Sequence, residues 1–355
     1  MNSARASTPR HTEIPTLVRV KAGALDRVGV YAARHDFHEV TVLFSEGFDE
    51  SLLGRLTQGL TSAGVRISHQ EPVGSIEFAD ATCITHRLPA NTKAVIGIGG
   101  GKALDVAKYV GFLAGLPYLA VPTSLSNDGF CSPQSSLAIA GRRRSMASAV
   151  PFGVVINTAV CLNAPRILWH SGVGDLVSKL TAVADWKLAF HARGTPVDDF
   201  AALLSDASVY QFIARPIHDL EGMKLLGTAL LLNGISMSIS GSSRPASGSE
   251  HLISHALDAI SARPRLHGLQ VGVATYLISL LQGENSKVIC DLFEATGFWK
   301  AIAEDPFDRS EWMEAARLAP DLKTDFYTIL SSRDCLLEIR ELLDSDPYLQ
   351  NCFAA

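Results

Sequence analysis

Apolar side chains follow two different rhythms along this chain. Through the first 160 residues they gather in short, near-continuous, largely β-branched runs: Val40–Phe44, Ala94–Ile98, Tyr118–Val121 and Val154–Ile156. Stretches with helical spacing, such as Glu50–Ala63 and Leu104–Leu113, lie between them. A parallel sheet covered on both faces requires this alternation, because its strands have no solvent side to make polar. Turn residues close two of the runs, with Gly99–Gly101 after one and Pro122 after another.

Beyond Cys161 the rhythm changes and strand-like runs stop. Long amphipathic stretches follow at Val173–Phe190, Asp199–Arg215, Gly222–Ser238, Glu250–Ile260 and Val271–Leu281, then at Ser310–Ala316 and Cys335–Leu343. Gly194–Pro196, Gly241–Pro245 and Arg263–Pro264 punctuate them as helix breaks. The pattern predicts a Rossmann-like α/β domain with a parallel sheet over residues 1–160. An all-α domain over residues 161–355 follows, with a cleft between the two that favours ligand binding. A length of 355 residues suits two domains.

Composition narrows the function classes. With 47% hydrophobic and 19% charged residues, the chain can bury a large core and is no disordered charged tail. Its 31 basic and 36 acidic side chains leave a formal charge of −5, which argues against a general nucleic-acid partner. A local cluster of donors could still hold an anionic small substrate. No apolar run nears the roughly 18–20 residues that span a bilayer. The longest, around Thr228–Leu232 and Tyr276–Leu281, are interrupted by polar residues, so no membrane partner is expected. Six scattered cysteines without CxxC spacing read as buried or half-buried thiols of a reducing compartment. Met1–Glu13 is polar and lacks an apolar leader core, so a short frayed arm and a cytoplasmic location are expected.

Four features carry chemistry. In AVIGIGGGKALD (Ala94–Asp105) a buried strand runs through three glycines into a helix, whose free N–H groups could cradle a pyrophosphate; a plain tight turn fits as well. Thr123–Ser126 closes the next strand and would lie beside the glycines if the strands are neighbours. His251 and His255, four apart on a predicted helix, share a face. With His267 and Asp175, expected near the start of another helix, they form a dispersed metal set, though paired surface or core histidines give the same spacing. Asp128, before Gly129, reads as a polar site residue or as an Asx-turn. GSSRPASGS (Gly241–Ser249), with Arg244, reads as a phosphate cradle at a helix start or as a connector. The run Arg142–Arg144 reads as a solvated hairpin tip.

Taken in order, GIGGGKALD, VPTSLSNDGFCSP, SGVGDLVSKLTAVADW, GSSRPASGSEHLISH and LHG resemble the sn-glycerol-1-phosphate dehydrogenases. These belong to the superfamily of iron-containing alcohol dehydrogenases, glycerol dehydrogenases and dehydroquinate synthases. The resemblance spans Val40 to Val273. It implies a dehydroquinate synthase-like fold, reduction of dihydroxyacetone phosphate by NADPH or NADH, a place in phospholipid biosynthesis, and a homo-oligomer. It also implies metal ligation by Asp175, His251 and His267, and substrate contacts from Asp128 and His255. The implied cofactor cradle is Gly99, Gly100, Gly101, Lys102, Asp105, Thr123, Ser126 and Ser132. Iron-dependent relatives carry a fourth ligand, His, where this chain has Lys179, which favours a three-ligand zinc site, with nickel or iron as alternatives. Ser45 at the end of the second strand admits a 2′-phosphate, whereas the adjacent Glu46 keeps NADH open. As negative charge builds on the ketone oxygen, Asp128 would hold a substrate hydroxyl and His255 or a metal-ordered water would supply the proton; by the composition of their loop, Arg244 and the Ser242–Ser249 hydroxyls would bind the phosphate. The alternatives are a polyol dehydrogenase on an unphosphorylated substrate and a dehydroquinate synthase-like carbocyclase. The carbocyclases place Glu where Asp175 stands.

Overall fold

The computed structural model describes Thr12–Ala354. The arm expected over Met1–Glu13 lies almost wholly outside these residues. Six parallel strands form one sheet in the order β1 (Leu17–Val20), β8 (Gly153–Ile156), β5 (Tyr118–Pro122), β4 (Ala94–Gly99), β2 (Glu39–Ser45), β3 (Arg66–Val73). A separate antiparallel hairpin joins β6 (Gln134–Ile139) to β7 (Arg142–Ala147). The four apolar runs are the four inner strands. The edge strands β1 and β3 escape the hydrophobic pattern because only one residue of each is fully buried.

Inner strands alternate between two cores. Val40, Val42, Ile96, Ile98, Leu119 and Val121 face α1 (Val28–Ala33) and α2 (Glu50–Ser62). Leu43, Val95, Ala120, Val154 and Ile156 face α3 (Phe78–Arg87), α4 (Gly101–Ala114) and the helical half. That second core runs on without interruption into the helices.

The chain leaves β2 towards β3 on one side and leaves β4 towards β5 on the other. The sheet therefore has a topological switch between β2 and β4, and their carboxyl ends open the crevice where such sheets bind ligands.

The helical half comprises α5 (Thr158–Leu162), α6 (Arg166–Val177), α7 (Lys179–Arg193), α8 (Asp199–Ile213), α9 (Leu220–Ser240), α10 (Ser249–Ile260) and α11 (His267–Gln282), with six further helices between Ser286 and Gln350. Two expectations need correction. The single stretch Val173–Phe190 is two helices broken at Ser178, whose hydroxyl donates to the Asp175 carbonyl at 2.7 Å. Asp175 therefore stands two residues before the end of α6, not near a helix start. The short apolar run at Thr228–Leu232 is the middle of α9, which by length and composition alone could cross a membrane. Most of α9 is buried against its neighbours, as in a core helix. Of the six cysteines, all free, Cys83 is exposed and the others are buried.

Candidate active site

Close backbone packing builds one corner of the site. A Cβ on Gly174 of α6 would lie 2.0 Å from the Gly268 carbonyl oxygen, and one on Gly268 of α11 would lie 1.8 Å from that of Ser171. Only hydrogen fits at either position. Asp175 follows the first glycine and His267 precedes the second, so the contact that demands glycine also brings carboxylate and imidazole together. The neighbouring α10 packs on α11 and adds His251.

Ligand atoms of Asp175, His251 and His267 lie within 4.8 Å of one another. Asp175 Oδ1 is 3.6 Å from His251 Nε2 and 3.9 Å from His267 Nε2. Metal–ligand bonds of about 2.0–2.1 Å in a tetrahedron place ligand atoms roughly 3.4 Å apart, so these donors need little movement to close on a divalent cation.

Neighbouring acceptors aim both imidazoles. His251 Nδ1–H donates to Glu250 Oε1 at 2.8 Å, and His267 Nδ1 lies 3.2 Å from Ser254 Oγ. In those tautomers each Nε2 lone pair faces Asp175. Glu250 is fully buried and also accepts from Gly248 N at 2.6 Å and Thr181 Oγ1 at 2.9 Å. Sequence reasoning passed over Glu250, because a Glu beside a His carries no spacing signal. A second buried carboxylate, Asp185, accepts from Ser249 N and Ile329 N, and burial together with nearby Glu250 pushes it up to about 6. Glu250→Gln is expected to weaken zinc affinity roughly 10–100-fold while the protein stays folded. Isothermal titration with zinc checks this, and unchanged affinity would refute the role.

Lys179, wholly buried, sets the charge balance. Its ammonium is 3.0 Å from Asp128 Oδ2 and 3.4 Å from Asp175 Oδ1. Asp175 Oδ2 accepts the Asp128 N–H at 2.9 Å. Burial opposes ionisation of Asp175, yet Lys179, His251 and His267 hold it well below the usual carboxylate range. Burial and the neighbouring Asp175 outweigh Lys179 at Asp128, whose carboxyl is shifted upward. Burial, then the charge of His251, pushes His267 down to about 3. His255 completes the cluster, with ring centroids 6.0 Å from His267 and 6.4 Å from His251. Its side chain reaches solvent, but surrounding protein and nearby cations hold it well below the ordinary histidine range.

The glycine turn lies at the carboxyl end of β4. Gly99 adopts φ 130°, and a Cβ there would strike Ser45 Oγ at 2.2 Å. That hydroxyl accepts the Gly100 N–H at 3.1 Å. Ser45 is therefore a brace for the turn, a role its position alone did not reveal. A Cβ on Gly100 or Gly101 would meet nothing within 4 Å, and no side chain caps the start of α4. The turn thus offers open space, free N–H groups and a positive helix end, which suit a pyrophosphate. Thr123 N donates to the Gly99 carbonyl at 3.1 Å, so the hydroxyl segment does lie beside the glycines. Lys102 is exposed at the turn. Asp105 and Ser132 meet through buried Lys108, at 3.3 and 3.4 Å. Ser126 accepts through its carbonyl from Ser171 of α6.

Arg244 departs from its expected place. Only 5% exposed, it donates from Nη1 to the Tyr327 carbonyl at 2.6 Å and covers the Phe326 ring at 3.7 Å. With Nη2 also 3.5 Å from the Asp325 carbonyl, two of its nitrogens are tied to the backbone of one loop, and Arg244 acts there as a brace. The run Arg142–Arg144 opens strand β7 just past the hairpin turn; Arg143 turns inward to Asp258 of α10, with 3.8 Å from Nη1 to Oδ2.

A parallel sheet with a glycine turn at its switch point feeds a helical bundle in which Asp175, His251 and His267 converge. Residues 19–165 match a family model described as iron-containing alcohol dehydrogenase. Glycerol dehydrogenase from Schizosaccharomyces pombe shares the fold, with a TM-score of 0.78 over 97% of this chain and 92% of its own, at 19% identity. The chain is 34% identical over 342 residues to glycerol-1-phosphate dehydrogenase (NAD(P)+) from Aeropyrum pernix, covering 93% of this chain and 96% of that one. It is 38% identical over 255 residues to the enzyme of the same name from Thermococcus sibiricus, covering 71% and 73%. The chain belongs to the glycerol-1-phosphate dehydrogenase family.

Proposed function

We propose that this protein reduces dihydroxyacetone phosphate to sn-glycerol 1-phosphate with NADPH or NADH and one divalent cation, zinc, held by Asp175, His251 and His267. One observation carries the reading. The three donors converge at the end of the segment Thr123–Asp128, which begins beside the glycine turn and ends with the Asp128 N–H on Asp175. Five residues reach at most about 18 Å, and this closeness supports a single cleft shared by dinucleotide and cation.

Once bound, the cation supplies Lewis-acid stabilisation of charge on the ketone oxygen and the nicotinamide supplies the hydride. The chain does the rest. Lys179 ties Asp128 Oδ2, leaving Oδ1 to accept a substrate hydroxyl and fix which face of the ketone is presented. His255, neutral at pH 7 because its pKa is depressed, relays a proton by accepting at one ring nitrogen and giving from the other. Gly99, Gly100, Gly101 and Thr123 line the pyrophosphate end. Ser45 admits a 2′-phosphate and Glu46 can accept from ribose hydroxyls, which keeps both dinucleotides admissible.

The test is oxidation of NADPH and NADH with dihydroxyacetone phosphate and dihydroxyacetone, with metal measured on the same sample. The expected result is about one zinc per chain and a kcat/KM for the phosphorylated ketone at least about a hundredfold higher, since a lost charged contact costs a factor of ten or more. Equal or better turnover of dihydroxyacetone would point to a polyol dehydrogenase instead.

A further inference from the structure

A phosphorylated substrate needs a cationic grip, and Arg244 is already occupied. Helix α10 carries His251, His255 and, three residues further along, Asp258. Two cations approach this helix from different elements. Side chains alternate along β7, so Arg143 points opposite to Arg142 and Arg144. It meets Asp258 at 3.8 Å, while Gln270 Nε2 holds the same carboxylate Oδ1 at 3.1 Å. The guanidinium is tethered but half-exposed, with a side-chain exposure of 50%. Its charge acts on both His255 and His267.

The other cation is Lys323. It follows the 3-10 turn Ala319–Asp321, which packs on α10. Its ammonium lies 5.0 Å from the centre of the Phe326 ring, which Arg244 also covers. Arg244 therefore braces the loop that carries Lys323, through the Tyr327 carbonyl and the ring between them. Lys323 is half-buried, and among the described residues no carboxylate lies within ion-pair distance of its ammonium. Its charge also acts on His255.

We infer that Arg143 and Lys323, reaching α10 from the hairpin and from the Ala319–Asp321 side, grip the substrate's phosphate dianion beside His255. The inference rests on the substrate reading above. In a triose phosphate the ketone carbon and the phosphorus are three bonds apart, roughly 4 Å with ordinary bond lengths of about 1.5 Å. That span is somewhat less than one helical turn of about 5.4 Å, so a phosphate directed along α10 from a ketone at the Asp175 corner lies towards His255, one turn beyond His251. Arg143 offers a planar fork to two phosphate oxygens and Lys323 a mobile point charge.

The experiment compares KM and kcat for dihydroxyacetone phosphate and dihydroxyacetone in wild type, Arg143→Gln, Arg143→Lys, Lys323→Met and the Arg143→Gln/Lys323→Met double variant. Inorganic phosphate serves as a competitive inhibitor throughout. Each neutralising substitution is expected to raise KM for the phosphorylated ketone about tenfold more than that for dihydroxyacetone, and the double variant about a hundredfold more. The inhibition constant for phosphate rises in parallel, and Arg143→Lys recovers part of the loss. Variants that keep the wild-type preference for the phosphorylated ketone, or that impair both ketones equally, overturn the assignment alone. A wild type indifferent to the phosphate overturns both the assignment and the substrate reading.

Discussion

His251→Ala is expected to strip the protein of stoichiometric metal and to lower turnover of dihydroxyacetone phosphate by roughly 10²–10³-fold or more. His251 is one of three donors gathered within 4.8 Å, and its ring is aimed by a buried carboxylate on its far side. A two-donor remnant holds a divalent cation poorly, and the Lewis-acid contribution of several kcal/mol goes with it. His267→Ala should behave alike. His255→Ala separates the roles, because its ring is in the cluster without facing Asp175: metal content should persist while kcat falls. Metal analysis alongside steady-state rates decides the matter, and a His251→Ala protein that turns over with no bound metal would end the cation proposal.

The parts of this molecule legible in its sequence are those where one local rule dominates. Val40–Phe44 and Ala94–Ile98 announced themselves because inner strands bury both faces, whereas Arg66–Val73, half-exposed at the sheet edge, alternates too weakly to stand out. The break at Ser178 was invisible because both flanking helices share one apolar texture. The position of Asp175 was therefore misjudged even though its partners were identified. Convergence is a different kind of fact. His251 and His255 share a face by spacing, but their approach to Asp175 depends on a glycine contact between helices about a hundred residues apart in sequence. Charge is harder still to read: Arg143 looked like one of three solvated arginines, and only the hairpin's register turns it towards α10. Arg244 looked like a ligand-facing group because its loop is rich in hydroxyls, yet its partners are carbonyls some eighty residues away.

Gly174→Ala should be among the most damaging single methyls in the protein's active site, lowering stability by about 3–5 kcal/mol and metal affinity by at least roughly a hundredfold. The added Cβ would sit 2.0 Å from a backbone oxygen of α11, and no side-chain rotation can relieve a clash with a carbonyl. Non-bonded carbon and oxygen need more than 3 Å, so α6 and α11 must part by about an ångström or the chain must bend. Either response widens the 3.9 Å gap between Asp175 Oδ1 and His267 Nε2, which must close for both to hold one cation. Stability and ligation are therefore expected to fall together, a coupling that a merely loosened core would not produce. Gly54→Ala in α2 is the matched control: its Cβ meets nothing within 4 Å, so the better helix former should raise stability by about 0.5–1 kcal/mol and leave metal binding alone. Denaturant unfolding and zinc titration on the two variants measure both effects. A Gly174→Ala protein that binds zinc with wild-type affinity would show that the glycine contact between α6 and α11 does not set the geometry of the site.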